Sequence, residues 1–374
     1  MGRLTQFASS FLRSCSLLFL AALSCTGARR PRPATVAIPP HRSSAPSAEH
    51  AVALVVLDGV RWQEIFHGVD DGLALAARLA PDEVVSAREL MPNLWRLADR
   101  GVAIGDLEAG PLIEASGPNY VSLPGYTELF TGRAPVDCRD NDCHPNTGET
   151  IADALATHDA FDTGVVVLSS WEKISRVASG APDRLIMSTG RTGGLTRDAL
   201  RAVPAAGAAL DEAATTAPWP GSGDFRPDRL TSAIALRYVE RVRPRFLFLG
   251  LGEPDEFAHA GDYRGYLQAM RAADTALGEL CRALKASGAV PDIFVTADHG
   301  RSRTFRDHGG GSPESRNVWL VAAGPGIRSR GGVPGHAMHQ LADVAPTIRA
   351  LTGLAEAEVA RGGSVMSELL EIDR

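Results

Sequence analysis

Short apolar runs and amphipathic segments alternate along most of this chain. Predominantly apolar stretches at residues 51–57, 163–168, 246–251 and 292–296 have the length and composition of buried strands. Between them, apolar residues recur at helical spacing, and the longest such pattern covers residues 263–287. Strands separated by helices in this way predict an α/β fold, with a largely parallel central sheet and helices on both faces.

One stretch, at about residues 180–223, departs from this alternation. It is rich in Ala, Gly, Thr and Arg, and its periodicity is weak. We interpret it as an inserted cap or loop excursion on a single large domain that spans residues 50–374. A domain of that length can bury a large core.

The amino terminus differs in composition from the rest of the chain. Basic residues precede an apolar run at residues 16–23, and small residues follow it, which is the order of a secretory signal peptide, here expected over residues 1–28. Cys25 also permits a bacterial lipid anchor, the only membrane attachment that we expect. Residues 29–49 are rich in Pro, Arg, Ser and Ala and are expected to form a disordered linker. The sequence therefore predicts a periplasmic or secreted protein.

Charge and cysteine content narrow the choice of function. The chain has 38 Lys and Arg against 44 Asp and Glu, and no basic cluster indicates a surface for nucleic acid. Cys138 and Cys143 enclose a short polar loop, and in an exported protein we expect them to form a local disulfide. A zinc knuckle is disfavoured because no second Cys or His pair follows at suitable spacing. Cys281 lies in a helical pattern and is expected to be a core thiol.

Acidic and imidazole side chains follow three of the predicted strands directly. The carboxyl ends of parallel strands meet at one edge of an open sheet, where ligands collect. Carboxylate and imidazole together suit zinc or a similar divalent ion. The pattern therefore predicts a metal-dependent enzyme. The candidate ligands are Asp58, Asp255, His259, Asp298 and His299.

A serine stands between the first and the later ligands. Ser122 is followed by Pro124, Gly125 and a helical segment, so its hydroxyl is expected at a helix N-terminus. There, unpaired backbone N–H groups and the helix dipole favour negative charge. Serine in this place often only caps the helix. Beside so many candidate metal ligands, a catalytic nucleophile is the favoured interpretation.

Taken together and in this order, the motifs resemble the alkaline phosphatase superfamily, most closely its nucleotide pyrophosphatase/phosphodiesterase branch. The resemblance covers residues 51–354 and implies that the large domain is catalytic. The motifs are Asp58-Gly59, Met91-Pro92-Asn93-Leu94, Ser122-Leu123-Pro124 through Thr131-Gly132, Asp255-x-x-x-His259 and Asp298-His299-Gly300.

The resemblance implies that two divalent ions bracket the Ser122 nucleophile. Zinc is the expected metal, with manganese or iron as alternatives. The implied ligand sets are Asp58, Asp298 and His299 for one ion, and Asp255, His259 and a later histidine for the other.

Two positions in this scheme remain open in the sequence. The later histidine is expected to be His308, because its Gly-rich flank lets backbone approach a metal, with His336 and His339 as alternatives. Members of the phosphodiesterase branch orient the phosphate with an Asn downstream of the nucleophile. This chain departs from the family pattern there, and Asn141 and Asn146 are both candidates for substrate binding.

The expected function is that of an exported two-metal hydrolase. It would cleave a small-molecule phosphate ester, with diesters favoured, through a phosphorylated Ser122. A monoester dianion needs a further positive group, and near the phosphate the sequence offers only Arg133 and Arg139. A phosphomonoesterase or a sulfatase-like hydrolase of the same superfamily is the alternative.

Three other readings of the motifs are disfavoured. Sulfatases need Cys or Ser followed by x-Pro-x-Arg, and Tyr126 stands where that Arg is required. Mutases of the superfamily are cytosolic, which conflicts with the predicted export signal. A non-catalytic surface binding module would have lost Ser122 or one of the ligands.

Overall fold

The computed structural model describes residues 49–144, 146, 148–158, 164–192, 197–329, 331–333, 336–354 and 362–371. The predicted signal peptide, the lipid anchor on Cys25 and nearly all of the linker, residues 1–48, lie outside these ranges. Within them, no helix combines the length and the apolar character needed to cross a bilayer.

Strands and helices follow one another as the periodicity predicts. The described strands are β1 (Glu49–Leu57), β2 (Val102–Ile104), β3 (Leu112–Glu114), β4 (Val165–Ser169), β5 (Ile186–Thr189), β6 (Phe246–Leu251), β7 (Ala289–Thr296), β8 (Asn317–Val318), β9 (Leu320–Ala323), β10 (Gly331–Gly332) and β11 (Met338–Gln340). The described α-helices are α1 (Trp62–Phe66), α2 (Asp71–Ala76), α3 (Ala87–Leu90), α4 (Pro92–Ala98), α5 (Ser122–Thr131), α6 (Ile151–Ala156), α7 (Arg197–Arg201), α8 (Pro204–Thr215), α9 (Asp228–Val242), α10 (Glu253–His259), α11 (Tyr263–Ala286) and α12 (Val344–Leu351).

The central sheet contains eight of the described strands in the order β10-β2-β9-β7-β1-β6-β4-β5. All of them run in one direction except β9, which is antiparallel to both of its neighbours, β7 and β2. A second, small sheet has the order β11-β3-β8. The prediction of a largely parallel sheet is confirmed.

Strand β1 shows why these strands read as continuous apolar runs. Alternate side chains of a strand point to opposite faces of the sheet. Those of Val55 and Leu57 belong to a core cluster with α4, α9 and α11, whereas those of Leu54 and Val56 belong to a second cluster with α5, α6 and α12. Helices therefore cover both faces, and each fully buried Leu or Val contributes roughly 1.5–3 kcal/mol.

The segment predicted as an excursion is partly built into the sheet. Its residues 186–189 form the edge strand β5, paired in parallel with β4. The helix α8 follows, and its Ala206 and Leu210 are fully buried in the core cluster that contains residues of α9. The prediction of an excursion over the whole of residues 180–223 was too broad, because alanine-rich helices pack closely through small side chains and show little apolar periodicity.

The predicted disulfide is present. Cys138 and Cys143 are bonded, with their Cα atoms 5.0 Å apart. Cys281 is a half-buried free thiol that packs against the core, and burial raises its pKa to about 11. The thiol is therefore protonated and unreactive at neutral pH.

Candidate active site

The register of the central strands places the first candidate ligands side by side. Val56 in β1 pairs with Thr296 in β7. Asp58 and Asp298 each follow two residues later, so they leave the same edge of the sheet at the same level. On the other side of β1, strand β6 leads into α10, which carries the next candidate pair.

Asp58, Asp298 and His299 form the first ligand group, in which one ligand atom from each residue lies within 4.8 Å of the others. All three side chains are buried. His299 Nδ1 lies 2.9 Å from the carbonyl oxygen of Gly300. Nδ1 therefore carries the proton. Nε2 lies 3.5 Å from Asp58 Oδ1, and its lone pair is available to a metal ion.

The first ligand group is electrostatically incomplete without a cation. Burial raises the pKa of Asp58 and that of Asp298 well above the usual range, and the two carboxyls and Asp255 reinforce this by mutual repulsion. Burial also lowers the pKa of His299. Asp298 Oδ1 accepts a hydrogen bond from Gly59 N at 3.1 Å, but its buried Oδ2 accepts none from any described residue. A divalent ion fits this donor set, because it would neutralise the carboxylates and be coordinated by Asp298 Oδ2, which accepts no hydrogen bond.

Asp255, His259 and His308 form the second ligand group, whose ligand atoms also lie within 4.8 Å of one another. His259 Nε2 lies 3.0 Å from Asp255 Oδ2, one helical turn away in α10, and 3.1 Å from His308 Nε2. His308 Nδ1 lies 3.0 Å from the carbonyl oxygen of Tyr120, which assigns the proton to Nδ1 and leaves Nε2 for a metal. The hydrogen bond with Asp255 raises the pKa of His259.

The structure places His308, and not the alternative histidines, beside Asp255. His339 lies in β11, in the small sheet, where its Nε2 contacts Glu368 at 2.7 Å, and His336 is exposed just before that strand. The ring of His308 also stacks on that of His299, with centroids 3.9 Å apart. The two ligand groups are therefore in direct contact.

Ser122 lies next to the first ligand group. Its Oγ is 3.2 Å from His299 Nε2 and 3.4 Å from Asp58 Oδ1. Ser122 is the first residue of α5, and the N-cap residue Val121 makes no side-chain capping hydrogen bond. The hydroxyl is thus turned toward the ligands and does not act as a helix cap.

Close packing of α5 against β7 depends on one glycine. A Cβ atom at Gly125 would lie 2.2 Å from the carbonyl oxygen of Asp298, a distance that no side chain tolerates. The Ser-x-Pro-Gly motif therefore brings the amino end of α5, with its serine, within reach of the strand end that carries the metal ligands.

Two residues of the site were not among the sequence candidates. Tyr126 OH donates to Asp58 Oδ2 at 3.1 Å, and its place four residues after Ser122, on the same helical face, was a usable signal. Arg301 forms an ion pair with Asp255. Nothing in the sequence pattern points to that contact, since 46 residues separate the partners.

Asn141 and Asn146 have different surroundings. Asn141 Oδ1 accepts the backbone N–H of Leu123 at 2.9 Å, directly beside the serine. The side chain of Asn146 instead makes local hydrogen bonds with Gly148. The structure thus brings Asn141 to the amino end of α5.

Lys173 is a further positive group that sequence reasoning missed. It follows β4, and its Nζ contacts the carbonyl oxygen of Asn141 and the carboxylate of Asp142, both at 2.9 Å. Arg133 and Arg139, the cations that the sequence suggested, are exposed.

Comparison with known proteins gives two kinds of similarity. The model of the family described as "Metalloenzyme superfamily" matches residues 222–356, a range that contains the second ligand group and part of the first. The 2,3-bisphosphoglycerate-independent phosphoglycerate mutase of Ruegeria sp. (strain TM1040) is 32% identical over 148 residues, which are 38% of this chain and 28% of the mutase. The mutase of Caenorhabditis elegans is 26% identical over 152 residues, or 39% of this chain and 28% of the mutase. The matched segment thus spans less than a third of these relatives.

Solved structures match over most of the chain. Wild-type alkaline phosphatase PafA has a TM-score of 0.57 at 12% identity, covering 88% of this chain and 100% of that one. The phosphonate monoester hydrolase of Agrobacterium radiobacter has a TM-score of 0.54 at 17% identity, with 86% and 77% covered. A putative sulfatase from Bacteroides thetaiotaomicron has a TM-score of 0.55 at 12% identity, with 85% and 74% covered. At these identities the likeness concerns the fold.

Proposed function

We propose that this chain is a two-metal hydrolase of phosphate esters with Ser122 as the nucleophile. Its match to the metalloenzyme superfamily model over residues 222–356 and its alkaline phosphatase-like fold support the proposal. The observation that carries the proposal is the position of the Ser122 hydroxyl. It lies at a helix N-terminus, within 3.4 Å of the buried Asp58 and His299. A serine that only capped the helix would not need its hydroxyl beside a buried carboxylate and a buried imidazole.

The chemistry divides between the ligand groups and the residues around Ser122. Divalent ions bound by the two groups would lower the pKa of the hydroxyl and neutralise charge on the phosphoryl oxygens. Ser122 Oγ attacks phosphorus, the bond to the leaving oxygen breaks, and a phosphoserine forms at the N-terminus of α5, where the helix dipole favours its charge. Water then attacks phosphorus and breaks its bond to Oγ, which restores the hydroxyl and releases a phosphate monoester from a diester substrate, or free phosphate from a monoester substrate. Asn141, beside Leu123, is positioned to orient the phosphoryl group.

A preference for diesters follows from the local charges. A monoester carries one more negative charge than a diester and gains more from an additional cation. Lys173 is a cation beside Asn141, but its ammonium group is engaged by the Asn141 carbonyl oxygen and by Asp142. We therefore propose diesters as the better substrates, and the phosphodiesterase branch as the place of this chain in the superfamily.

Sulfate esters are expected to be poor substrates. The position where sulfatases keep arginine is occupied by Tyr126, whose hydroxyl is already bound to Asp58. This supports a phosphate ester as the small-molecule substrate. The carboxylate and imidazole donors of the two ligand groups support zinc as the proposed metal.

Export remains part of the proposal. The disulfide between Cys138 and Cys143 supports it, because such bonds persist in oxidising compartments. The periplasm or the extracellular medium is therefore the proposed location.

Phosphoryl transfer to an alcohol is the second candidate, favoured by the match to phosphoglycerate mutases. Both reactions start with attack by the serine and differ in what accepts the phosphoryl group. Incubation with 3-phosphoglycerate separates them, since a mutase forms 2-phosphoglycerate whereas a hydrolase releases free phosphate. We expect no 2-phosphoglycerate.

The deciding experiment compares three esters on the same zinc-loaded protein: bis-nitrophenyl phosphate, nitrophenyl phosphate and nitrophenyl sulfate. The expected order of kcat/KM is the diester first, the monoester second and the sulfate last. Ser122→Ala should lose roughly 10³-fold or more in rate while its zinc content stays unchanged. A sulfate turned over fastest would overturn the reaction class, and an alanine variant with a tenth of the normal rate would remove Ser122 from the mechanism.

A further inference from the structure

Arg301 is a buried arginine whose guanidinium is fully engaged within the protein. Its side chain has no exposed surface. Nε donates to the carbonyl oxygen of Phe305 at 2.6 Å, Nη2 donates to that of Arg306 at 2.7 Å, and Nη1 forms the ion pair with Asp255. Each of the three nitrogens has a protein partner, so the group is not arranged to bind substrate.

The ion pair distinguishes the two oxygens of Asp255. Arg301 contacts Oδ1, the oxygen that lies 4.0 Å from His299 Nε2 and 3.9 Å from His308 Nε2, between the two ligand groups. Oδ2 is left beside His259, 3.0 Å away, within the second ligand group. Arg301 therefore fixes the rotation of the carboxylate and presents one defined oxygen to a metal.

Gly59 makes room for this pair. A Cβ atom there would lie 2.3 Å from Asp255 Oδ1 and 2.7 Å from Arg301 Nη1. The glycine after Asp58 thus permits the Asp255 carboxylate and the Arg301 guanidinium to meet just beyond the carboxyl end of β1.

Arg301 also shapes the loop that delivers His308. Its two carbonyl acceptors belong to the residues two and three positions before that histidine. Between them and Arg301 the chain turns back, and Phe305 adopts a left-handed conformation with φ of 71°, which is costly for a bulky residue. The ring of Phe305 packs edge-on against Tyr263 and Tyr266 of α11, which holds the turn in place.

We infer that Arg301 is the positioning residue of the second ligand group. One guanidinium orients Asp255 directly and His308 through its loop, and so builds two of the three ligands for one ion. The inference rests on the proposed two-metal function. Partners of this kind typically govern metal affinity by 10–100-fold, on the order of magnitude seen for outer ligands of metal sites.

The test is zinc binding by the mature chain, measured by titration calorimetry and elemental analysis, with no activity readout required. Arg301→Gln is expected to bind the second zinc ion about 10–100-fold more weakly and the first ion with unchanged affinity. Arg303→Gln is the matched control. It lies in the same loop, its side chain is 89% exposed, and both of its zinc affinities should equal those of the wild type.

Arg301→Lys covers the case in which the glutamine variant does not fold. An ammonium group keeps the charge but cannot reach one carboxylate and two carbonyls together, so its second affinity should still fall while the first is preserved. Thermal unfolding in EDTA reports the fold of each variant apart from the metal.

Two results separate this inference from the proposed function. Wild-type protein that binds fewer than two ions would overturn both. Two tight ions in the wild type, with either Arg301 variant equal to it or equally weakened for both ions, would overturn the role of Arg301 alone.

Discussion

The two ligand groups lie in contact, yet they are built on different kinds of structure. The first group follows the ends of β1 and β7, and its three side chains have at most 6% of their surface exposed. The second combines a short helix, α10, with a loop, and the His259 side chain is 46% exposed. Strand ends inside a sheet have little freedom, whereas a helix and a loop depend on further contacts for their placement.

The two ligand groups also differ in how far neighbouring cations balance the charge of their carboxylates. In the first group, burial raises the pKa of Asp58 and of Asp298, and repulsion from neighbouring carboxylates adds to this effect. No arginine among the described residues forms an ion pair with either carboxylate. In the second group, burial raises the pKa of Asp255, but Arg301 and the nearby histidines outweigh this effect and hold that pKa well below its usual range. The first group therefore needs an ion to be stable, and the second is already neutralised.

The largest expected effect is the loss of an ion from the first group. His299→Ala removes a ligand that also contacts Ser122, and a loss of several kcal/mol in charge stabilisation corresponds to about 10³-fold in rate. Asp298→Asn should be similar, and the double variant little worse than either, because both residues serve one ion. His259→Ala should cost less, about 10²-fold, since it lies at the exposed edge of the second group. The rate and the zinc content of each variant are measured together. A larger loss of rate in His259→Ala than in His299→Ala would contradict the expected difference between the two groups.

A smaller effect is expected on the rates at which the two ligand groups release their ions. On addition of a coloured chelator, the ion of the exposed second group should leave at least about tenfold faster than that of the buried first group. Stopped-flow absorbance would then show two phases, and His259→Ala should lack the fast one. A single phase that accounts for both ions would mean that exposure does not distinguish the groups.

The smallest effect is on the stability of the metal-free protein, and it should have opposite signs in the two groups. A carboxyl with a raised pKa keeps its proton in the folded state, so the folded state loses stability as the pH rises above the unfolded value of about 4. Asp298→Asn should therefore raise the melting temperature in EDTA, more at pH 8 than at pH 5.

Asp255 has a lowered pKa and contributes stability that is present at neutral pH and lost in acid. Asp255→Asn should lower the melting temperature at pH 8 by about 5 °C or more, because Arg301 is left buried and unpaired. The same direction of change in both asparagine variants would refute the electrostatic contrast.

The sequence predicts the first group better than the second for a physical reason. Asp58 and Asp298 follow continuous apolar runs, and parallel strands bring such residues to one edge whatever the details of packing. His308 lies on a loop, where apolar periodicity carries no information, and the motif resemblance was needed to favour it. Arg301 and Lys173 act through contacts between distant segments, which no local pattern indicates.

The same limit explains the partial error at residues 180–223. Apolar periodicity identifies a helix by its large side chains, and α8 packs mainly through alanines. The strand β5 within that segment is only four residues long, too short to stand out from its surroundings.

The antiparallel strand β9 of the central sheet has a consequence for how this molecule can vary in length. Since β9 runs opposite to β7, the chain between them leaves and re-enters the sheet at the same edge, without the crossover of a dozen or more residues that a parallel neighbour needs. The connection, residues 297–319, instead carries Asp298, His299 and His308 through the metal site and then adds β8 to the small sheet. Insertions or deletions between His308 and β8 would change the surroundings of the second ion while the strands of the central sheet kept their places.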